Sequence, residues 1–341
     1  MRFLVWGAGA IGGTLGAYLS RAGHDITLVD VATDHVDAIN ADGLRITGPI
    51  AQFTVRLTAR RPDGLTGSWE RIILATKAHH TAAAARALLP HLTASGCVIS
   101  AQNGLNELQI AEVVGEPRTV GAFVNFGADY MEPGVIFYGG RGTIMVGEAF
   151  GQPRISARVT EIRDAWRALD ERATATDNIW GYLWSKEAYG AMLFATALTN
   201  DSIADCLARA EDRGLYVALA REILAVAKAR GVRPEAFDGF DPAAYMPNAP
   251  PGAAERSLDS LVAHNRKSAK THTGIWRDLA VRKRPTEVDA QLGIIVELAK
   301  AAGVPVPLTT RLVELIHEIE RGERPMGGAA LHALGGAGGA A

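Results

Sequence analysis

Residues 1–30 read MRFLVWGAGAIGGTLGAYLSRAGHDITLVD, and this stretch decides the fold. Arg2–Trp6 form a short apolar run that ends at a glycine, which predicts a strand followed by a turn. Apolar residues then recur at helical spacing as far as Gly23, which is typical of a helix and its terminating glycine. Alternating apolar residues from Ile26 to Asp30 predict a second strand. The order of these elements indicates a β-α-β unit.

Three glycines, Gly7, Gly9 and Gly12, form the pattern G-x-G-x-x-G between this strand and this helix. In that context the first glycine permits a tight turn, the second lets the backbone approach a pyrophosphate, and the third lets helix and strand pack closely. Free N–H groups at the helix start, around Ala10 and Ile11, favour binding of the phosphates. A strand-helix connection that is merely rich in glycine is the alternative. The β-α-β context favours a dinucleotide site.

Asp30 stands eighteen residues after Gly12, at the end of the second strand. A carboxylate there can accept hydrogen bonds from both hydroxyls of an adenosine ribose, and it would repel a 2′-phosphate. No Arg or Lys follows within ten residues. The sequence therefore predicts a preference for NAD(H) over NADP(H), the alternative being a solvated Asp at a strand end.

In the rest of the chain the pattern of apolar residues changes twice. Apolar runs at Ile72–Ala75 and Val98–Ser100 continue the alternation of strands and helices, which predicts a parallel sheet with right-handed crossovers. Short β-branched and aromatic runs between Thr119 and Glu148 predict an antiparallel edge of that sheet. Beyond about Ile155, long helical patterns take over. We predict three parts: an α/β domain over 1–175, an all-α domain over 176–325, and a flexible Gly/Ala-rich tail over 326–341.

Composition excludes several classes of protein. The 35 Lys and Arg nearly balance the 37 Asp and Glu, so nucleic acid and anionic membranes are not expected partners. No run of eighteen apolar residues exists, and the N-terminus lacks the basic region of a signal peptide, which favours a cytoplasmic protein. The two cysteines, Cys97 and Cys206, show neither metal-ligand nor redox spacing, so we expect a reducing compartment and no metal.

More specific motifs follow the glycine turn. They are GAGAIGG at Gly7–Gly13, TKAHHT at Thr76–Thr81, QNG at Gln102–Gly104, LWSK ending at Lys186, and PTEVD at Pro285–Asp289. Together they resemble the ketopantoate reductases, also called 2-dehydropantoate 2-reductases, from Arg2 to about Arg321. The resemblance implies an N-terminal Rossmann-type dinucleotide-binding domain. It also implies an all-α C-terminal domain for substrate and dimerisation, like that of 6-phosphogluconate dehydrogenase.

The resemblance also implies roles for four side chains. Reduction of a ketone needs a hydride and a proton for the developing alkoxide, and the family assigns the proton to Lys186 as general acid/base. Asn103 would hold substrate and nicotinamide together, Lys77 would contact the cofactor, and Glu287 would bind substrate and cofactor and keep the lysine protonated. Taken alone, Lys186 would more often be a surface lysine and Glu287 a helix-capping residue, and Asn103 would as often be part of an ordinary Asn-Gly turn.

Three places depart from the family pattern. The helix after Lys186 usually presents asparagines four and eight residues on, and here those places are Gly190 and Phe194, which would share a helical face with the lysine. A serine that binds the substrate carboxylate is replaced by Gly274 when THTGIWRD is aligned on Asp278. The loss of three polar contacts would leave the carboxylate and hydroxyl of ketopantoate poorly satisfied.

These departures predict a different hydroxy/keto substrate, larger or more apolar than ketopantoate, with Thr271, His272 or Thr273 as replacement contacts. The predicted function is an NAD(H)-dependent oxidoreductase that transfers hydride between nicotinamide and that substrate. The alternatives are a 2-dehydropantoate 2-reductase proper, an imine-reducing or β-hydroxyacid-dehydrogenase-like enzyme, and a non-catalytic NAD(H)-binding regulator. Helical second domains of such enzymes often pair, so a homodimer is an open expectation.

Overall fold

The computed structural model describes residues 1–336 of the chain. Its internal contacts divide it into two units, with the boundary between Ile179 and Trp180. The first unit is α/β with a parallel sheet and the second is helical, which confirms the predicted fold class. Residues 337–341, the end of the predicted tail, lie outside the described residues.

The first unit is built on the predicted β-α-β start, in which β1 is Arg2–Trp6, α1 is Ala10–Arg21 and β2 is Asp25–Val29. Its larger sheet also contains β5 (Thr58–Arg60), β6 (Trp69–Leu74), β7 (Leu92–Ser100), β8 (Thr119–Val124), β11 (Ile144–Glu148) and β12 (Thr174–Ala175). The strand order is β12-β11-β8-β7-β6-β1-β2-β5, and β1 pairs in parallel with both β2 and β6. This order puts the carboxyl ends of the central strands at one edge, where ligands of open α/β sheets bind.

A second, four-stranded sheet was not predicted. It consists of β3 (Leu44–Thr47), β4 (Phe53–Val55), β9 (Gly127–Glu132) and β10 (Val135–Gly140), in the order β4-β3-β10-β9. The prediction that the 135–138 run extends the main sheet is therefore wrong, and only β11 forms an antiparallel pair there, with β8. Ile136 and Tyr138 are completely buried, and a Cβ at Gly13 of α1 would overlap Ile136, so β10 packs against α1.

The central strand β1 is buried on both faces, which explains its continuous run of apolar residues. Phe3 and Val5 belong to the larger apolar cluster, and Leu4 and Trp6 belong to the second cluster on the opposite face. The helices of this unit after α1 are α2 (Thr33–Asp42), α3 (Thr81–Leu88), α4 (Glu107–Val114) and α5 (Ala157–Trp166). The strand that carries the glycine turn is thus fixed by packing from both sides.

The second unit consists of helices, as predicted. They are α6 (Ile179–Thr196), α7 (Ile203–Ala208), α8 (Arg213–Ala229), α9 (Ala253–Arg266), α10 (Gly274–Trp276), α11 (Ile294–Ala302), α12 (Pro307–Glu320) and α13 (Gly328–Gly335). Two π-helical segments, Arg277–Arg282 and Asp289–Gly293, lie between α10 and α11. No helix within residues 1–336 is long and apolar enough to cross a membrane.

The prediction of a flexible tail from residue 326 is wrong for the part that the structure describes. Ala330, Leu331 and Leu334 of α13 are buried, and the N–H of Gly327 donates to the carbonyl of Leu198 at 2.7 Å. Three apolar side chains at helical spacing are enough to pack a short helix when a neighbouring helix, here α12, supplies the other surface.

Candidate active site

The glycine turn contains two glycines that packing requires and one that faces open space. Gly7 has φ +100°, and a Cβ there would lie 2.8 Å from the backbone of Ala75 and Thr76. A Cβ at Gly12 would overlap the carbonyl oxygen of Gly7. A Cβ at Gly9, by contrast, would meet no atom of the described residues within 4 Å. The open position is the one that a pyrophosphate would approach.

The start of α1 leaves its backbone donors available. Its N-cap is Gly9, its first turn carries no acidic side chain, and no side chain among residues 1–336 caps its N–H groups. The first N–H groups of a helix have no partner within the helix, and the positive end of the helix dipole lies there. The predicted contacts at Ala10 and Ile11 therefore fit a pyrophosphate group, which such helix starts bind.

The Asp30 carboxylate lies beside the glycine turn. Its Oδ2 accepts a hydrogen bond from the N–H of Ala8 at 2.8 Å, and its Oδ1 accepts one from the N–H of Ala32 at 3.0 Å. Each carboxylate oxygen has a second lone pair, so both can still accept a hydrogen bond from a ribose hydroxyl. The side chain is partly buried and held in place, as a ribose-binding carboxylate must be.

The sheet brings two arginines to Asp30 that the sequence analysis missed. β5 pairs in parallel with β2, and the N–H of Asp30 donates to the carbonyl of Arg60 at 3.1 Å. Arg60 and Arg61 follow thirty residues later in the chain but are neighbours in the sheet. A dinucleotide-binding sheet needs a strand beside β2, and a search for that strand would have found them.

The loops after β6 and β7 are joined by a network of buried polar side chains. Gln102 Nε2 donates to the carbonyl of Thr76 and to Thr81 Oγ1, each at 2.9 Å. Thr81 Oγ1 also lies 2.9 Å from Asn106 Oδ1, and Asn106 Nδ2 donates to the carbonyl of Asn103 at 2.6 Å. Gln102 and Thr81 belong to the quoted motifs, but no role was predicted for them or for Asn106. Their network fixes the backbone that carries the predicted cofactor contacts.

Lys77 and Asn103 lie on these two loops, at the carboxyl edge of the sheet. β6 and β7 are parallel neighbours with Leu74 opposite Ser100, so both loops leave the sheet at the same level. Lys77 is partly buried and Asn103 is exposed. Asn103 precedes Gly104, whose φ of +104° a residue with a side chain rarely adopts. The predicted Asn-Gly turn is therefore present and presents the Asn103 side chain outward.

In the second unit, Lys186 lies on a partly exposed stripe of helix α6, most of whose other residues are buried. The stripe consists of Tyr182, Lys186, Gly190 and Leu193, which recur at spacings of three and four. Phe194 is completely buried, so the prediction that it shares the lysine's face is wrong. Eight residues correspond to a rotation about 80° past two full turns, whereas seven nearly close them. Phe194 as a substrate contact stays a prediction.

Gly190 and Gly274, which the resemblance sets in place of polar residues, both face open space. A Cβ at Gly190, or at Gly274, would meet no atom within 4 Å in the part of the chain that the structure describes. Neither glycine has a positive φ. Neither packing nor backbone conformation therefore requires a glycine at these two positions, and both leave room.

The replacement contacts predicted at 271–273 are engaged with one another and with a tryptophan. Thr273 Oγ1 accepts from the N–H of Trp276 at 2.9 Å and thereby caps α10. Thr271 Oγ1 and His272 Nδ1 are hydrogen bonded at 2.9 Å. The His272 ring centroid lies 4.2 Å from that of Trp276, whose Nε1 donates to Asn200 Oδ1 at 3.1 Å. No role was predicted for Trp276 or Asn200; Trp276 and His272 form an aromatic pair, and Asn200 is hydrogen bonded to both rings.

Glu287 lies two residues before the π-helical segment Asp289–Gly293, on a loop held by α12. The N–H of Thr286 donates to Glu320 Oε1 at 2.7 Å. His317 is hydrogen bonded to Glu320 Oε2 at 3.0 Å and to Asp289 Oδ1 at 2.9 Å. Burial lowers the pKa of His317, but its hydrogen bonds to the two carboxylates outweigh burial and raise that pKa. His317 was not predicted, and it links the two sides of the Glu287 loop.

The other side of this loop is held by the buried carboxylate of Asp278. Its Oδ1 accepts from Arg282 Nη1 at 3.1 Å and from Arg284 Nε at 2.9 Å. Between these arginines the backbone turns at Lys283, which has φ +49°.

Within residues 1–336, no group of three or more His, Cys, Asp or Glu side chains could hold a metal ion.

Two family models match this chain. The model described as ketopantoate reductase PanE/ApbA matches residues 3–151, and its C-terminal counterpart matches residues 178–320. Among relatives, a 2-dehydropantoate 2-reductase of Pyrococcus abyssi is 28% identical over 324 residues, covering 93% of this chain and 97% of that one. One of Mesorhizobium japonicum is 27% identical over 349 residues, covering 94% and 99%.

Solved structures with the same fold include two of different description. A PanE/ApbA family ketopantoate reductase from Ralstonia eutropha has a TM-score of 0.78 at 24% identity, covering 95% of this chain and 99% of that one. A D-mandelate dehydrogenase in ternary complex with NADH and anilino(oxo)acetate has a TM-score of 0.82 at 20% identity, covering 94% and 99%. Identities this low establish similarity of fold.

Proposed function

Because this chain belongs to the ketopantoate reductase family, we propose that it transfers hydride between NAD(H) and a hydroxy/keto substrate larger or more apolar than ketopantoate. The family consists of NAD(P)-dependent oxidoreductases that act on CH–OH groups, and this chain is one of them. The observation that carries the choice of substrate is the open space at Gly190 and Gly274.

In the proposed reaction Lys186 moves the proton. When bound, the cofactor would supply the hydride, and the Lys186 ammonium would donate a proton to the carbonyl oxygen, which would give the hydroxyl group. Oxidation of the alcohol runs the same steps in reverse, with neutral Lys186 as the base. Its place on the partly exposed stripe of α6 supports this role, since most other positions of that helix are buried. Glu287 is proposed to bind the substrate and to favour the charged lysine.

The proposed cofactor is NAD(H). The glycine turn and the start of α1 offer backbone donors for the pyrophosphate, and Asp30 offers a fixed carboxylate for the ribose hydroxyls. A 2′-phosphate would meet that carboxylate at close range, and like charges repel. Lys77 and Asn103, on the loops after β6 and β7, are proposed as further cofactor contacts.

The proposed substrate is a 2-keto or 2-hydroxy compound with a bulky apolar group. Where the family has polar side chains, Gly190 and Gly274 leave room, and two residues beyond Gly274 the indole of Trp276 stacks against His272. Aromatic surfaces bind apolar and aromatic groups, whereas they do not satisfy an extra hydroxyl. The D-mandelate dehydrogenase, solved with anilino(oxo)acetate, supports the idea that this fold accepts such compounds.

A panel of keto acids assayed with NADH and NADPH tests this function. The panel contains ketopantoate, unbranched 2-keto acids, branched 2-keto acids and aryl-substituted 2-keto acids, and the value compared is kcat/KM. We expect the bulky apolar members to exceed ketopantoate by at least about tenfold, the value of one or two methylene groups in an apolar pocket. A kcat/KM for ketopantoate far above all others would contradict the proposal.

That contrary result would favour the second candidate function, 2-dehydropantoate 2-reductase itself. The observation in its favour is that relatives described as 2-dehydropantoate 2-reductases match this chain over nearly their whole length.

The reducing compartment and the homodimer stay predictions. Size-exclusion chromatography with light scattering measures the oligomeric state.

A further inference from the structure

Arg60 and Arg61 lie at the end of β5, directly beside the strand that leads to Asp30. β5 and β2 are parallel, and Val29 is opposite Arg60, so the same register sets Arg61 beside Asp30. The N–H of Asp30 donates to the carbonyl of Arg60 at 3.1 Å, which continues the pairing past the strand end. Neighbouring strands lie about 4.8 Å apart. Both arginines therefore start next to the proposed ribose-binding carboxylate.

The guanidinium group of Arg61 reaches the segment that follows Asp30. Its Nη1 donates to Oγ1 of Thr33, the first residue of α2 and the third residue after Asp30. Its Nε and Nη2 lie 3.3 Å and 3.4 Å from the carboxylate oxygens of Asp63. The arginine side chain is 48% exposed, so a ligand phosphate can compete with Asp63 for it. A positive charge thus lies against the segment that directly follows the proposed ribose-binding carboxylate.

A surface groove of about 480 Å³ runs beside this guanidinium. It is lined by α2, by the end of β5 with both arginines, and by the turn Pro62–Gly64. Its floor is fixed, because the side-chain amide of Asn40 exchanges two hydrogen bonds of 3.0 Å with the backbone of Ala59. The groove therefore offers room for a charged group without movement of the sheet.

We infer, on the basis of the function proposed above, that Arg61 with Arg60 forms a site for a 2′-phosphorylated adenosine ribose that the carboxylate of Asp30 keeps closed. With Asp30 present, a phosphate entering this site meets a negative charge. Without it, the Arg61 guanidinium can form charge-assisted hydrogen bonds to two phosphate oxygens. Loss of the Asp30 charge should therefore convert the enzyme to NADP(H) without any added basic residue.

Binding titrations test this inference without any substrate. The dissociation constants of NADH and NADPH are measured by nicotinamide fluorescence on the full-length wild type and on Asp30→Ser and Asp30→Asn. Asparagine keeps an oxygen that can accept from the Ala8 N–H, so this variant guards against a folding defect. We expect NADPH to bind at least about tenfold more tightly to both variants than to the wild type, the scale of one charge-assisted pair. Arg61→Ala, added to either variant, should remove most of that gain.

Arg56→Ala in the Asp30→Asn background is the matched control. It removes the same charge from the connection before β5, where Arg56 donates to the carbonyl of Ala41 at 3.1 Å. We expect it to change NADPH affinity by less than about threefold, as a surface charge away from the site does. Equal effects of the two arginine substitutions would overturn the inference, because they would indicate a general charge effect.

Two further outcomes separate this inference from the proposed function. If both Asp30 variants bind NADH but gain no affinity for NADPH, the arginine site is disproved and the proposed function stands. If the wild type binds neither dinucleotide, the proposed function is wrong, and the inference fails with it.

Discussion

Two glycines of the proposed cofactor turn, Gly7 and Gly12, differ from the proposed substrate positions Gly190 and Gly274 in what surrounds them. At Gly7 and Gly12 an added Cβ would strike backbone atoms of the first unit. At Gly190 and Gly274 it would meet nothing within 4 Å among the described residues. Packing thus requires glycine at positions 7 and 12, whereas Gly190 and Gly274 leave space.

This difference indicates at which positions substrate specificity can change without loss of the fold. A turn whose glycines touch backbone cannot vary without loss of the fold, so dinucleotide binding is tied to stability. Open positions on a partly exposed helical stripe can carry many side chains without strain. The substrate can therefore differ from that of relatives while the cofactor site keeps its architecture.

The largest expected effect comes from Lys186→Ala, which removes a side chain from the open stripe. We expect kcat to fall by about 10³-fold, the usual range for a general acid, with the free energy of unfolding little changed. Stopped-flow turnover and urea unfolding measure the two quantities, and NADH fluorescence checks that the cofactor still binds. Lys228→Ala, at an exposed lysine of α8, is the control and should retain full turnover. An active Lys186→Ala enzyme would exclude this lysine as the acid.

The opposite pattern is expected for Gly12→Ala. Its Cβ would overlap the Gly7 carbonyl and lie 2.9 Å from Ala75 Cβ, so we expect a loss of about 3 kcal/mol in the free energy of unfolding. Gly9→Ala is the matched control, because its Cβ meets none of the described atoms. It should unfold within about 0.5 kcal/mol of the wild type but bind NADH about tenfold more weakly. Equal stability of the two variants would remove the distinction between packed and open glycines in the turn.

Gly190→Asn and Gly274→Ser test the open glycines of the second unit. Each restores a polar group of the family pattern, so we expect kcat/KM for ketopantoate to rise about tenfold and that for bulky keto acids to fall. Gly214→Asn is the control, since Gly214 also lies in a helix with no described atom near its Cβ position. It should change neither value. Unchanged preference in the two test variants would mean that these positions do not contact the substrate.

The smallest effect concerns the loop that carries Glu287. The raised pKa of His317 means that its protonated form is favoured in the folded state, so its contribution is complete below the ordinary pKa of 6.5 and is lost as the pH rises through the raised value. Because the side chain is 31% exposed, solvent screening limits this contribution to less than about 1 kcal/mol. Unfolding measured at several pH values should show the loss in the wild type and not in His317→Gln. The same slope in both proteins would contradict the assignment.

The sequence by itself determined the local elements of this protein. The spacing of apolar residues and glycines in residues 1–30 fixed β1, α1 and β2, because local periodicity and glycine conformation are encoded in adjacent residues. The motifs identified the family, and thereby Lys186 and Glu287 as candidates. The differences from the family pattern at Gly190 and Gly274 could also be identified from the sequence, since they are differences of residue type.

Only the tertiary structure decided which distant residues are neighbours. It paired β10 with β3 instead of extending the main sheet, brought Arg60 and Arg61 to Asp30, and buried α13. It also replaced Phe194 by Leu193 on the stripe of Lys186. A strand pattern predicts that a segment will pair, but it does not predict with which strand. A short apolar helix gains its stability from the surface against which it packs. Register and packing, which join residues far apart in the chain, supply that information.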